Sequence, residues 1–189
     1  MPHGEIVALV GCMSSSKSRT LITRLERVAY AKKQVVLFKH TKDTRAGDDA
    51  VVSRDGSRHN AVAVNSAQEI LDRISDLPKI SMVGIDEIQF FDDQLAQVVL
   101  TLAKRGVDVV FSGLDTNFRG EPFPLTAFLV SRADKVERLD AVCLVCGNLA
   151  TLSQRLINGQ PAPYDSPTIA VGGDEMYEAR CRDCHVVPK

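Results

Sequence analysis

The chain has 189 residues, 44% of them apolar, and its 24 acidic and 23 basic side chains leave a formal net charge of −1. That length carries one well-buried core plus a small appendage and is too short for two full domains. The near-neutral, well-mixed charge excludes the basic footprint that neutralises a nucleic-acid backbone, so a small phosphorylated ligand suits the chain better than DNA.

Met1-Pro2-His3-Gly4-Glu5 lacks a basic leader, and the apolar stretch Ile6 to Val10 is too short for a secretory segment or a membrane span. The expectation is a soluble cytoplasmic protein with no membrane partner. In a reducing compartment its five cysteines argue against a disulfide framework and leave metal binding or catalysis for the clustered ones.

In chain order, Glu5 to Val10 reads as a buried strand, Gly11 to Ser16 as a loop of small residues, and Ser18 to Lys33 as a helix with an inward stripe of Leu21, Ile22, Leu25, Val28 and Ala29. Gln34 to Phe38 is a second buried strand, and the charged stretch Thr41 to Asn60 predicts a surface loop or loose hairpin. Ser66 and Glu69 have capping-box spacing and open a helix through Ile70, Leu71 and Ile74, ahead of a strand at Ile80 to Ile85. A further helix at about Asp92 to Arg105 turns Leu95, Val98, Val99, Leu102 and Ala103 inward, before a strand at Val107 to Ser112. Such alternation implies an α/β fold, a parallel sheet with helices on both faces. From about Ala141 the pattern changes to short strand-like runs broken by Asn158-Gly159, by Pro161, Pro163 and Pro167, and by Gly172-Gly173. The expected division is therefore 1–140 for the nucleotide-binding α/β domain and 141–189 for a loop-rich appendage.

Gly11-Cys12-Met13-Ser14-Ser15-Ser16-Lys17-Ser18 lies between strand and helix, the context in which a Walker A reading has meaning. Its backbone N–H groups and the helix N-terminus would cradle phosphates, Lys17 would reach β/γ oxygens and the Ser18 hydroxyl would bind Mg²⁺. An ordinary helix start, with Ser14, Ser15 or Ser16 as cap and Lys17 in water, is the other reading of the same residues. Asp86 and Glu87 follow a buried strand at the sheet edge where α/β folds bind ligands. Asp86 would hold Mg²⁺ through water, and Glu87, turned the other way by strand alternation, could accept the proton of an attacking hydroxyl. Solvated strand-end acids are the alternative.

Cys143-x-x-Cys146 and Cys181-x-x-Cys184 each place two thiolates on one ion and together make a closed, tetrahedral, structural Zn²⁺ site. His185 is a possible substitute ligand, and Cys12 reads as a small apolar packing residue.

Gly11-x-Met13-x-Ser15-x-Lys17-Ser18, Lys42-Asp43-Thr44-Arg45, Asp86-Glu87-x-Gln89-Phe90-Phe91, Gly113-Leu114-Asp115, Phe118-Arg119-Gly120-Glu121-Pro122-Phe123 and the two cysteine pairs occur in this order along nearly the whole chain. The set resembles the thymidine kinases of the zinc-containing type found in bacteria, animal cytosol and poxviruses. The resemblance implies a RecA-like P-loop sheet with a small C-terminal zinc-binding lasso domain, and transfer of the γ-phosphoryl of ATP to the 5′-hydroxyl of thymidine. It implies Glu87 as catalytic base, and an ATP·Mg²⁺ set of Gly11, Cys12, Met13, Ser14, Ser15, Ser16, Lys17, Ser18, Arg45, Asp86 and Gln89. It implies a thymine pocket walled by Met13, Phe90, Leu114, Phe118 and Phe123, with Ser153 and the lasso residues Thr168, Ala170 and Tyr177 closing over the nucleoside. A homotetramer and acceptance of deoxyuridine beside thymidine belong to the same set of expectations. Two positions depart from the family: Ser14 stands where a larger residue is common, and Ser16 where glycine is usual.

A non-catalytic nucleotide-binding paralogue with a degenerate loop, and a RecA-like ATPase on nucleic acid, are the competing functions. The neutral charge balance counts against the second.

Overall fold

The structure, a computed structural model, describes residues 2–44, 47, 50–52, 56, 58–75, 77, 79–169 and 176–189. Along the chain run β1 (Ile6–Gly11), α1 (Lys17–Tyr30), β2 (Gln34–His40), β3 (Ala50–Val52), β4 (Arg58–Asn60), β5 (Val62–Val64), α2 (Ala67–Ser75), β6 (Ile80–Ile85), a 3₁₀ turn (Ile88–Phe90), α3 (Gln94–Lys104), β7 (Asp108–Gly113), α4 (Pro124–Arg132) and β8 (Lys135–Leu139). Six of these strands form one parallel sheet in the order β5-β2-β6-β7-β1-β8. Because β1 is followed by α1 and then β2, the connection passes over the places filled by β7 and β6.

Alternation along β1 distributes the core. Ile6, Ala8 and Val10 face α2, α3 and α4, whereas Val7 and Leu9 face α1 through Leu21, Ile22 and Leu25. The α1 stripe stops there: Val28 is half-buried and Ala29 exposed, contrary to the predicted pattern. The helix closes early because Lys32 takes φ 58°, and the N–H groups of Lys32 and Lys33 satisfy the carbonyls of Ala29 and Val28. The inward stripe of α3 is as predicted, with Leu95, Val98, Val99, Leu102 and Ala103 all buried.

At α2 the N–H of Glu69 donates to Ser66 Oγ at 3.4 Å, but the Glu69 carboxylate accepts from the N–H of Asn65 at 3.3 Å, one residue before the cap. The Thr41 to Asn60 stretch holds the antiparallel pair β3-β4, and it is more than surface: Ala50 and Val51 are buried, Val51 packing with the α1 face. Beyond the sheet come β9 (Ala141–Val142), β10 (Leu149–Ala150), β11 (Leu152–Ile157), β12 (Gln160–Pro161) and β13 (Tyr177–Arg180), with β9 on β10 and β11 between β12 and β13. Among the described residues no helix is long and apolar enough to cross a membrane.

Candidate functional site

The carboxyl ends of β1, β6 and β7 lie side by side, and each delivers one part of the site. After β1, Gly11 holds φ 152°, and a Cβ on it would come within 2.0 Å of the Leu139 carbonyl oxygen, so only glycine lets the loop leave the sheet here. Ser14 and Ser16 follow in left-handed conformations, φ 65° and 62°. The Lys17 ammonium turns back into the loop, 2.5 Å from the Cys12 carbonyl oxygen and 3.4 Å from Ser15 Oγ, and Ser15 Oγ itself donates to the Cys12 carbonyl at 2.8 Å. Lys17 is buried and Ser16 makes no side-chain cap bond, so the plain helix-start reading of this segment is not what the chain adopts. Burial pushes the Lys17 amine below its ordinary range, opposed chiefly by the charge of Glu87. Anionic oxygens arriving in this loop would favour its charged form.

From β6, Asp86 is anchored by its own N–H on the Phe38 carbonyl, 2.9 Å away. Its carboxylate accepts from Ser18 Oγ at 3.0 and 3.2 Å, and from Ser112 Oγ on β7. A hydroxyl and a carboxylate facing each other are the hard oxygen donors that Mg²⁺ takes beside water and phosphate, so this pair fits the ion. Ser112 had no signal in the sequence, since a serine at a strand end reads as core. Glu87 is buried, but strand alternation does not aim it. It lies beyond the end of β6 at φ 51°, a left-handed residue that bends the chain into the 3₁₀ turn. A glutamate kept in that conformation is the kind of local strain that functional sites retain.

Gln89 was placed with the ATP·Mg²⁺ residues, yet it works as a bridge. Its Nε2 donates to Glu87 Oε2 while its Oε1 accepts from the N–H of Leu114 at 3.1 Å. The approach needs Gly113, where a Cβ would lie 2.6 Å from Ile88 Cγ1 and 3.0 Å from Gln89 Oε1.

Of the pocket-wall residues, Met13, Phe90, Leu114 and Phe123 are half-buried, whereas Phe118 is 2% exposed. The Phe118 ring lies 5.4 Å from the guanidinium of Arg119 and 5.8 Å from that of Arg155. Ser153, on β11, accepts the N–H of Met13 at its Oγ, 2.9 Å away, joining the phosphate loop to the C-terminal strands. Thr168 is half-buried, and Tyr177 is buried on β13 opposite Arg155. Arg45 and Ala170 lie outside the described residues.

The sulfurs of Cys143, Cys146, Cys181 and Cys184 all lie within 4.8 Å of one another. Tetrahedral zinc with bonds of about 2.3 Å needs sulfurs about 3.8 Å apart, and Cys146 and Cys181 already stand at 3.6 Å, so the set fits a closed Zn²⁺ site. Desolvation would raise the Cys143 thiol, but hydrogen bonds from the backbone of Cys181, Cys146 and Val145 outweigh it and bring the group to about 6. His185 is not part of the cluster, because its Nε2 pairs with the Phe118 carbonyl at 2.8 Å. Cys12 packs among Cys143, Ala150, Ala179 and Cys181 with its Sγ 3.4 Å from the Ala150 carbonyl, and burial pushes its thiol up, as suits a packing residue.

The family model for thymidine kinase matches residues 4–185. A thymidine kinase of Thermococcus kodakarensis is 44% identical over 190 residues, covering 99% of this chain and 96% of that protein. A thymidine kinase of Coprothermobacter proteolyticus is 47% identical over 185 residues, covering 98% of this chain and 92% of its own. Among solved structures, a phosphate-loop ATPase domain superposes with a TM-score of 0.52 at 13% identity, over 73% of this chain and 70% of that one, a likeness of fold alone.

Proposed function

The chain belongs to the thymidine kinase family, and from that premise we propose that it moves the γ-phosphoryl of ATP to the 5′-hydroxyl of thymidine across the crevice at the ends of β1, β6 and β7. The observation that carries the residue assignment is the division of labour between neighbours: Asp86 is turned to Ser18 and Ser112, and Glu87 is turned away to Gln89. One carboxylate is thereby committed to the metal side and the other to the nucleoside side.

In this reading Glu87 accepts the proton of the 5′-hydroxyl as that oxygen attacks the γ-phosphorus in line and ADP leaves. Gln89 holds the carboxylate and, through the N–H of Leu114, ties it to the loop that carries the pocket wall. Lys17 follows the charge that develops on the β/γ oxygens. Mg²⁺, held by Ser18 and through water by Asp86, would neutralise phosphate charge. The nucleoside base would rest among Met13, Phe90, Leu114 and Phe123, with Thr168 and Tyr177 from the C-terminal part and deoxyuridine as the nearest competitor. The loop residue Arg45 and the lasso residue Ala170 keep their assigned roles by resemblance. A cytoplasmic homotetramer, read by sedimentation as a species of four chains, completes the proposal.

Labelled phosphate from γ-labelled ATP should appear on thymidine in a panel of nucleosides. Glu87→Gln, nearly isosteric but not basic, should leave thymidine binding intact and lower turnover by about 10²-fold or more. Unchanged turnover would remove Glu87 from the base role.

A further inference from the structure

Arg119 sits beside the pocket-wall residue Phe118, but its guanidinium reaches in another direction. Its Nη2 donates to the Ser166 carbonyl oxygen at 3.0 Å, its Cζ lies 4.4 Å from the centre of the Tyr164 ring, and its Nη1 is 3.6 Å from Glu121 Oε2. Tyr164 closes the circuit by donating its hydroxyl to Glu121 Oε1 at 2.6 Å. Glu121 is held in turn by Asn117, whose Nδ2 donates to Oε2 at 3.1 Å and whose Oδ1 accepts the N–H groups of Arg119 at 2.8 Å and Glu121 at 3.2 Å. Immediately along the chain, Arg155 donates to the Pro167 carbonyl. Two guanidinium groups thus hold consecutive carbonyls just ahead of Thr168, and both lie near the Phe118 ring.

We propose that Arg119 is a positioning residue for nucleoside binding: it fixes the Tyr164 to Pro167 segment against the 117–121 turn, so that Thr168 and the pocket wall keep one relative placement. The proposal rests on the nucleoside reading of the site. A planar guanidinium suits the task, since one face stacks on Tyr164 while an N–H meets a carbonyl, two demands that an ammonium meets only in part. Without the clamp the segment samples other placements, and apparent affinity falls by the fraction of molecules that remain competent. Arg119 touches neither the phosphate loop nor Glu87 in the contacts described, so the chemistry and ATP binding should be spared.

The test compares Arg119→Met, which keeps the stem length and removes charge and donors, with Arg119→Lys. Arg119→Met should raise KM for thymidine about tenfold, with kcat within about twofold and KM for ATP unchanged, and Arg119→Lys should recover part of the loss. Hydrogen exchange at the Tyr164 and Ser166 N–H groups, which pair with the Pro188 and Pro163 carbonyls at 2.8 and 3.0 Å, should quicken in Arg119→Met. That readout needs no substrate, so it judges the clamp even if the nucleoside assignment fails. Unchanged exchange, or an equal rise in both KM values, would overturn the proposal. Should Arg119→Met not fold, Tyr164→Ala removes the stacking face instead and the same two readouts decide.

Discussion

Ser16 marks how far single residues could be read from the chain. Its left-handed φ of 62° is what a phosphate loop needs at a position usually filled by glycine, and its side chain is exposed and bonds to no cap position. A left-handed non-glycine residue costs about 1–2 kcal/mol, while the extra freedom of glycine in the unfolded chain returns about 0.4–1 kcal/mol of that. Ser16→Gly should therefore hold or raise the melting temperature by a few degrees at most, tighten ATP binding or leave it unchanged, and leave KM for thymidine alone. A clear loss of stability would reveal a contact made by the hydroxyl. Lys17, Ser18 and Asp86 were legible because their spacing reflects a local strand-loop-helix geometry. Ser112 and the link from Arg119 to Tyr164 were not, since they join residues 26 and 45 positions from their partners through tertiary packing alone.

At the level of elements, legibility followed the strength of the periodic signal. α3 was plain because one face is wholly apolar, whereas 113–140 yielded no predicted element. In that stretch α4 exposes Phe128 and buries Thr126, and β8 is an edge strand bearing Lys135, Glu137 and Arg138, so neither shows a clean stripe. β2 ends in a titratable group that the sequence did not mark. His40 is buried, its Nδ1 accepts the N–H of Lys42 at 3.0 Å, and its ring meets Phe91 edge-on at 5.0 Å. Burial first, and then the Lys42 charge, lower its pKa below the ordinary 6.5, against weaker raising effects from the Asn65 backbone, Asp92 and Glu69. The folded chain thus prefers neutral His40, and protons go first to the unfolded chain. The contribution is fully present above the unfolded pKa of about 6.5 and is lost as pH falls from there toward the folded value. Urea midpoints should decline between about pH 7 and 5.5, and the decline should be shallower in His40→Gln. Equal slopes in the two proteins would show that other groups set the acid limb.

Across the whole molecule, the cysteine pairs and the phosphate loop share one small cluster, in which Cys12 packs with Cys143 and Cys181. Elemental analysis should find about one zinc per chain. A strong chelator should lower the melting temperature and raise KM for ATP as well, because binding of a structural ion is part of the folding free energy and Cys12 stands in the loop itself. Metal-free protein with unchanged melting would refute the four-thiolate site. The bonds from Met13 N–H to Ser153 Oγ and from Cys12 Sγ to the Ala150 carbonyl carry a further consequence, for protein engineering. Residues 11–18 and 141–185 form a single unit of exchange. A chimera that transplants the loop from a relative without the matching C-terminal strands sets it against foreign partners, and one that exchanges both keeps the seam intact.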